Sequence, residues 1–187
     1  MSTNLMYFEK RVRVPHNIFI KLDGLTLTLK GPLGEVNMHI SSYDKNGVYY
    51  IKMYKHKGQQ ELRLRTNNLS LRSTLPSLVS LIRQYFEGLT KGFLLSLELI
   101  GIGMRASFVN NRLELRVGYS HPVYPKLPND VKIFVPHPTL ICLFGVSKKR
   151  LAQTASTLQA LKTIEPYKGK GIQIQGGANL KKTGKKG

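Results

Sequence analysis

Cysteine occurs once in these 187 residues, which excludes an internal disulfide and a cysteine-based zinc site. Cys142 lies in the apolar run Leu140-Ile141-Cys142-Leu143-Phe144, where a buried core thiol is expected rather than a nucleophile. Acid is also scarce. Ten Asp and Glu stand against 29 Lys and Arg, a net charge of +19. The carboxylates form no D-x-D or E-x-x-H arrangement that would hold a metal or pair as acid and base. No run approaches the roughly 18 apolar residues of a membrane span. Residues 1–14 contain Arg11 and Arg13 but no hydrophobic signal core, so no cleavable targeting segment is expected. G-x-S-x-G and P-loop patterns are missing. His16, His39, His56, His121 and His137 are scattered, without the i, i+4 partner or Cys/Glu neighbour of a zinc site. His121 and His137 each precede proline, which favours turn or extended roles. The expectation is no catalytic centre, no cofactor, no metal and no small-molecule substrate.

Apolar residues are plentiful, at 41%, so a core can form and global disorder is excluded. The length suits one domain or two small ones. So large an excess of one charge repels itself in the folded state, and a polyanionic partner explains it. The charge is uneven: residues 148–187 carry ten basic residues against Glu165 alone.

Strand and helix signals alternate along the chain. Residues 12–22 end in the strand-like Ile18-Phe19-Ile20-Lys21-Leu22, and Asp23-Gly24 suits a tight hairpin turn. Leu25–Leu29 alternates apolar and polar residues, the mark of a half-buried strand, and Gly31-Pro32-Leu33-Gly34 breaks it. Strands are expected at Glu35–Ile40 and Val48–Tyr54 with Asp44-Lys45-Asn46-Gly47 between them, and a short piece at Leu62-Arg63-Leu64. Residues 70–89 place Leu71, Leu75, Leu78, Val79, Ile82 and Phe86 near helical spacing. Pro76 marks a start near Leu75, and Gly88 is the expected end. Strands return at Phe93–Ile102, Arg105–Val109 and Leu113–Val117, with a turn at Asn110-Asn111. Pro122, Pro125 and Pro128 stiffen the next connection. Val131–Val135 and Thr139–Phe144 pair, Gly145 stops them, and Ser147 caps a helix over Lys148–Lys162. Its apolar face is Leu151, Ala155, Leu158 and Leu161.

Residues 18–31 and 131–145 both read strand, turn, strand, glycine. The expected fold is therefore α+β, two duplicated modules, each a small antiparallel sheet covered on one face by a helix. Residues 1–90 form the first module, 91–175 the second, and 176–187 a basic Gly/Lys tail. Gly101-Ile102-Gly103-Met104-Arg105-Ala106 fits G-x-G-x-x-A. The strand pattern that follows it lacks the helix a dinucleotide site needs. A glycine-kinked strand or bulge is expected there instead.

The basic residues cluster in three places. Lys148, Lys149 and Arg150 open the second helix, where cations are electrostatically unfavourable and an anionic partner would explain them. Glu165-Pro166-Tyr167-Lys168-Gly169-Lys170-Gly171-Ile172 follows that helix. Glycines between Lys168 and Lys170 let backbone and cations approach a polyanion closely. Lys181, Lys182, Lys185 and Lys186 sit in a glycine-rich tail that orders only against a partner. Neutralising phosphates and releasing their counterions is the expected physics.

In order and spacing, Leu99–Ala106, Gly118-Tyr119-Ser120-His121-Pro122-Val123, Pro138-Thr139, Gly145-Val146-Ser147-Lys148 and Glu165–Ile172 resemble the ribosomal protein L-six family of the large subunit. Val14-Pro15, Leu25–Gly31 and Gly34-Glu35 extend the likeness more weakly. The resemblance implies two related α+β domains and a structural role. It also implies binding of large-subunit ribosomal RNA, chiefly by the C-terminal domain, beside the sarcin–ricin loop and stalk base, among neighbouring ribosomal proteins. On the family motif, Lys168, Gly169, Lys170 and Gly171 are the RNA-contacting positions, with Tyr167 beside them. Lys148, Lys149, Arg150 and the tail lysines are added on charge alone. Where the family has Arg-Arg-Pro this chain has Lys162-Thr163-Ile164, one cation fewer. Ser147 and Ala152 stand where Asp and Gly are usual. The drifted N-terminal half and the missing transit peptide point to a mitochondrial, organelle-encoded ribosome, with bacterial and plastid ribosomes as alternatives. The rival readings are a free RNA-binding regulator, an enzyme acting on nucleic acid, and a peripheral protein holding anionic lipid through its tail. No apolar anchor supports the last.

Overall fold

The computed structural model describes residues 8–24, 26–40, 49–56, 59–68, 72–109, 112–177 and 182. The expected turns at Asp44–Gly47 and Asn110-Asn111 lie outside them, as does Leu71. The chain divides into two compact units, Met1–Gly92 and Phe93–Gly187.

The first unit holds β1 (Phe8–Arg13), β2 (Phe19–Asp23), β3 (Thr26–Gly31), β4 (Gly34–His39), β5 (Tyr49–His56), β6 (Gln59–Thr66) and α1 (Thr74–Thr90). They form two antiparallel three-stranded sheets, β1-β6-β5 and β2-β3-β4. Alternation decides which side chains go inside. Leu27 and Leu29 of β3, and Leu62 and Leu64 of β6, are fully buried. α1 buries Leu75, Leu78, Val79, Ile82, Phe86 and Leu89 and packs on β1, β3 and β4. A Cβ on Gly31 would lie 2.8 Å from Leu89 Cβ, so a glycine at the end of β3 lets the helix seat against it.

The strand-like run Ile18–Leu22 is β2, Phe19–Asp23, while two other local expectations change. Val12 and Arg13 finish β1, and the chain then turns beyond Pro15, with Ile18 N–H donating to Pro15 O at 3.1 Å. The short piece at Leu62–Leu64 is an eight-residue strand. Gly88 does not end α1. It is buried inside the helix, which continues to Thr90. Lys91 N–H then donates to Glu87 O at 2.8 Å, and Gly92 takes a left-handed φ of 76°. Glycine costs a helix about 1 kcal/mol relative to alanine, and the buried face of α1 outweighs that.

The second unit holds β7 (Phe93–Ile100), β8 (Arg105–Val109), β9 (Arg112–Arg116), β10 (Val131–His137), β11 (Leu140–Gly145), α2 (Lys148–Leu161) and β12 (Gly171–Ile174). A four-stranded antiparallel sheet runs β10-β11-β7-β12, and β8-β9 is a separate hairpin. α2 packs on β7, β11 and β12. Leu97, Leu99, Ile141, Leu143, Leu151, Leu158 and Ile172 meet in one core. Thr154 joins the buried face of α2 while Leu161 stays half-buried. The Thr154 hydroxyl is satisfied by donating to Arg150 O at 2.9 Å. Cys142 is half-buried rather than a core thiol. It alternates away from Ile141 and Leu143, and its Sγ lies 3.7 Å from Ser96 Oγ. Gly101–Met104 is a turn rather than a kinked strand or bulge. Met104 N–H donates to Gly101 O at 3.3 Å, and Gly103 takes the left-handed φ of 74°. Strand β8, not a helix, follows.

The two units share one wiring. In each, the first strand pairs with the second strand of the hairpin that precedes the helix: β1 with β6 in one, β7 with β11 in the other. The counterpart of residues 131–145 is therefore β5-β6, not residues 18–31. Hairpins at 18–31 and 131–145 look alike locally, but they occupy different places in the repeat.

Candidate nucleic-acid interface

α2 separates two basic regions. At its start, Ser147 is extended (φ −97°, ψ 111°) and its Oγ accepts from Arg150 N–H at 3.4 Å. This leaves Lys148, Lys149 and Arg150 exposed in the first turn. Arg150 Nε lies 3.6 Å from Asp130 Oδ2, with both side chains more than half exposed. Solvent screening leaves such a pair worth little, so Asp130 barely offsets the local positive charge. Free N–H groups at a helix start add to the attraction for an anion.

At the other end the chain leaves α2, forms a closed turn and enters β12. Lys162 is the extended C-cap. Its carbonyl accepts from Ile172 N–H at 3.0 Å. Glu165 N–H donates to Lys170 O at 2.8 Å, and Gly169 N–H donates to Glu165 O at 2.8 Å. These bonds cross-brace residues 162–172 into a single rigid loop. Two positions in it require glycine. Gly169 is buried with φ 69°. Gly171 has φ 146°, and a Cβ there would lie 2.7 Å from Thr163 O and 2.8 Å from Ile164 Cα. Tyr167 and Lys168 are exposed at the apex, and Lys170 is half-buried.

The tail reaches this loop at one described point, where Lys182 N–H donates to Pro166 O at 3.0 Å. Lys181, Lys185 and Lys186 lie outside the described residues. Tyr167, Lys168, Gly169, Lys170, Gly171 and Lys182 thus come together. Lys148, Lys149 and Arg150 do not join them: a 14-residue helix holds its two ends about 20 Å apart. Two further residues belong to the loop and escaped the sequence reading of charge. Tyr119 OH donates to Leu161 O at 2.8 Å, and Lys162 Nζ sits 5.7 Å from the Tyr119 ring centroid. Gly118-Tyr119 was part of the motif pattern. Lys162, at the C-terminal end of a helix, also complements the helix dipole. Among the described residues no three of His, Cys, Asp or Glu gather to hold a metal. No described helix is long and apolar enough to cross a membrane.

A family model described as Ribosomal protein L6 matches residues 100–187, a span that contains both ends of α2 and the loop into β12. The large ribosomal subunit protein uL6 of Thermotoga neapolitana is 32% identical over 178 residues, covering 95% of this chain and 97% of that protein. The chain belongs to the ribosomal protein L6 family. Membership extends to both units. The uL6 protein of Bradyrhizobium sp. strain ORS 278 is 35% identical over 178 residues, again 95% of this chain and 97% of its own length. That of Oenococcus oeni is 34% identical over 179 residues, 96% of this chain and 97% of its own.

Proposed function

We propose that this chain is a structural, non-catalytic constituent of the large ribosomal subunit, and that it holds ribosomal RNA through the braced loop between α2 and β12. The observation that carries the loop reading is its geometry. A loop pinned by backbone hydrogen bonds, with Tyr167 and Lys168 exposed and two glycines at positions closed to other residues, presents cations at little ordering cost on binding. Lys170 and Lys182 add charge beside it. Lys148, Lys149 and Arg150 form a second phosphate contact at the far end of α2, so the RNA spans about 20 Å of this unit. The partners that follow are large-subunit ribosomal RNA near the sarcin–ricin loop and stalk base, and neighbouring ribosomal proteins. The relatives named above are bacterial. A mitochondrial setting is carried by the composition of the N-terminal half, and is tested by whether the tagged chain sediments with mitochondrial ribosomes.

Sucrose-gradient sedimentation of a gentle lysate, before and after a high-salt wash, tests both levels of the proposal. The wild-type chain is expected to migrate with the large subunit and resist the wash. The Lys168→Ala/Lys170→Ala variant should be released at lower salt, because each lost phosphate contact removes about one unit of salt dependence. Migration of the wild type at the top of the gradient would favour a free RNA-binding module. Wild-type and variant chains washing off together would remove the loop from the interface.

A further inference from the structure

Alternation sorts the β1-β6-β5 sheet of the N-terminal unit into two unlike faces. One face buries Val12, Leu62 and Leu64. On the other, the register sets Tyr50 opposite Arg65 and Lys52 opposite Arg63. Tyr50, Lys52, Tyr54, Arg63, Arg65 and Asn67 line one concavity there. Tyr50 is 58% exposed and Tyr54 37%, so two aromatic rings stand in water among cations. The Arg63 guanidinium carbon lies 4.3 Å from the Tyr54 ring centroid. Arg63 Nε is shut from solvent with no hydrogen-bond partner, and its terminal nitrogen is 3.7 Å from Glu61. The Arg63 side chain is still 23% exposed, so its head group can meet an anion on this face. Glu9, the carboxylate on Arg65, is shared with Arg11, so positive charge remains in excess on this face.

We propose that this face is a second RNA site, one that takes a single-stranded segment with bases on Tyr50 and Tyr54 and phosphates on Lys52, Arg63 and Arg65. It shares its partner class with the C-terminal loop but rests on different residues. The rings are four residues apart on one strand, about 13 Å. Bases in a stack rise only about 3.4 Å each, so the bases taken here are splayed apart. A duplex keeps its base faces covered and offers aromatic rings nothing to stack on. Cations lying between rings match the phosphates that link splayed bases, the arrangement of a sequence-tolerant single-strand platform.

The test is fluorescence anisotropy of the full chain with a labelled oligouridine of about eight nucleotides, beside an RNA duplex of equal length. Tyr50→Ala/Tyr54→Ala should weaken oligouridine binding at least about tenfold, with an unchanged circular dichroism spectrum and little change in duplex binding. The loss caused by Tyr50→Ala/Tyr54→Ala should be of the same size in the Lys168→Ala/Lys170→Ala background as in wild type, so failure of the loop and failure of this face are separable. Ultraviolet crosslinking of the wild-type chain to the same oligomer, read by peptide mapping, needs no variant and should mark peptides carrying Tyr50 or Tyr54. Equal oligouridine affinity in wild type and a folded tyrosine variant would overturn the proposal. So would crosslinks confined to other peptides, or large subunits in which this face crosslinks to a protein and not to RNA.

Discussion

The two units run the same wiring to different ends. Among the described residues of the N-terminal unit β1 pairs on one side, with β6, and no described strand after α1 joins that sheet. In the C-terminal unit the equivalent strand, β7, is flanked by β11 and by β12. The chain returns after α2, and the return both covers the sheet edge and carries the braced loop. An open sheet edge is a liability that proteins cover or charge. One unit covers its edge with a strand. The other charges it, with Glu9, Arg11 and Arg13 along β1. The braced loop is thus the connection that leads into this edge strand, and it presents Tyr167 and Lys168 to solvent.

The sharpest way to break this contrast is Gly171→Ala, at the entry to β12. The added Cβ meets backbone on the Thr163–Ile164 side, in a φ region that L-residues rarely occupy. A loss of about 2–4 kcal/mol is expected for the C-terminal unit, read by urea unfolding. An unchanged midpoint would mean that β12 does not depend on this close approach.

A second comparison uses the helix starts. Ser147 caps α2 through its side chain, whereas Ser73, at the start of α1, is helical (φ −73°, ψ −30°) and makes no side-chain cap. Ser147→Ala should cost about 1 kcal/mol and Ser73→Ala close to nothing. Equal losses in denaturant unfolding would erase the distinction.

The smallest expected effect belongs to the charged edge of the N-terminal unit. Arg11 Nε bonds Glu9 Oε1 at 2.7 Å and Arg65 Nε bonds Oε2 at 2.5 Å. The Arg11 hydrogen bond is the largest influence on the Glu9 carboxyl. Burial opposes it, Arg65 adds to it, and the net result lies below the ordinary value of 4.5. A lowered folded value stabilises the protein above the unfolded value, and that stability is lost as pH falls through the folded value. Wild type should lose less than about 1 kcal/mol from this source on acidification below pH 4.5, since the arginines are well exposed. Glu9→Gln should lack that component in unfolding curves measured across the same range.

Most elements were legible because their patterns are local. Leu25–Leu29, the helix over 74–90, and the Ser147 cap follow from spacing and from the chemistry of one or two side chains. The strand β1 was hard to see. Glu9, Arg11 and Arg13 hide the alternation of Phe8, Lys10 and Val12, and only pairing with β6 gives those charges a face. The repeat was recognised for an insufficient reason: two similar hairpins were matched, while true equivalence rests on which strand pairs with the first. The braced loop was visible as Pro-Tyr-Lys-Gly-Lys-Gly. Its separation from Lys148–Arg150 was legible too, since the helix expected over Lys148–Lys162 already stood between them; the return of Lys182 to Pro166 was not, because it joins residues 16 apart through a turn.

Composition and local pattern were enough to read a strongly basic α+β protein, its helices and most of its strands, and a loop that carries lysines between glycines. These depend on side-chain chemistry and on periodicities of two and 3.6 residues, which act between near neighbours. Tertiary structure alone decided that Gly171 has no room for a side chain, that Lys182 returns to Pro166, that Tyr119 joins the loop, and that Tyr50, Tyr54 and Arg63 share an open face. Each of these depends on residues distant in sequence meeting across a sheet or a turn, and only the folded chain sets those distances.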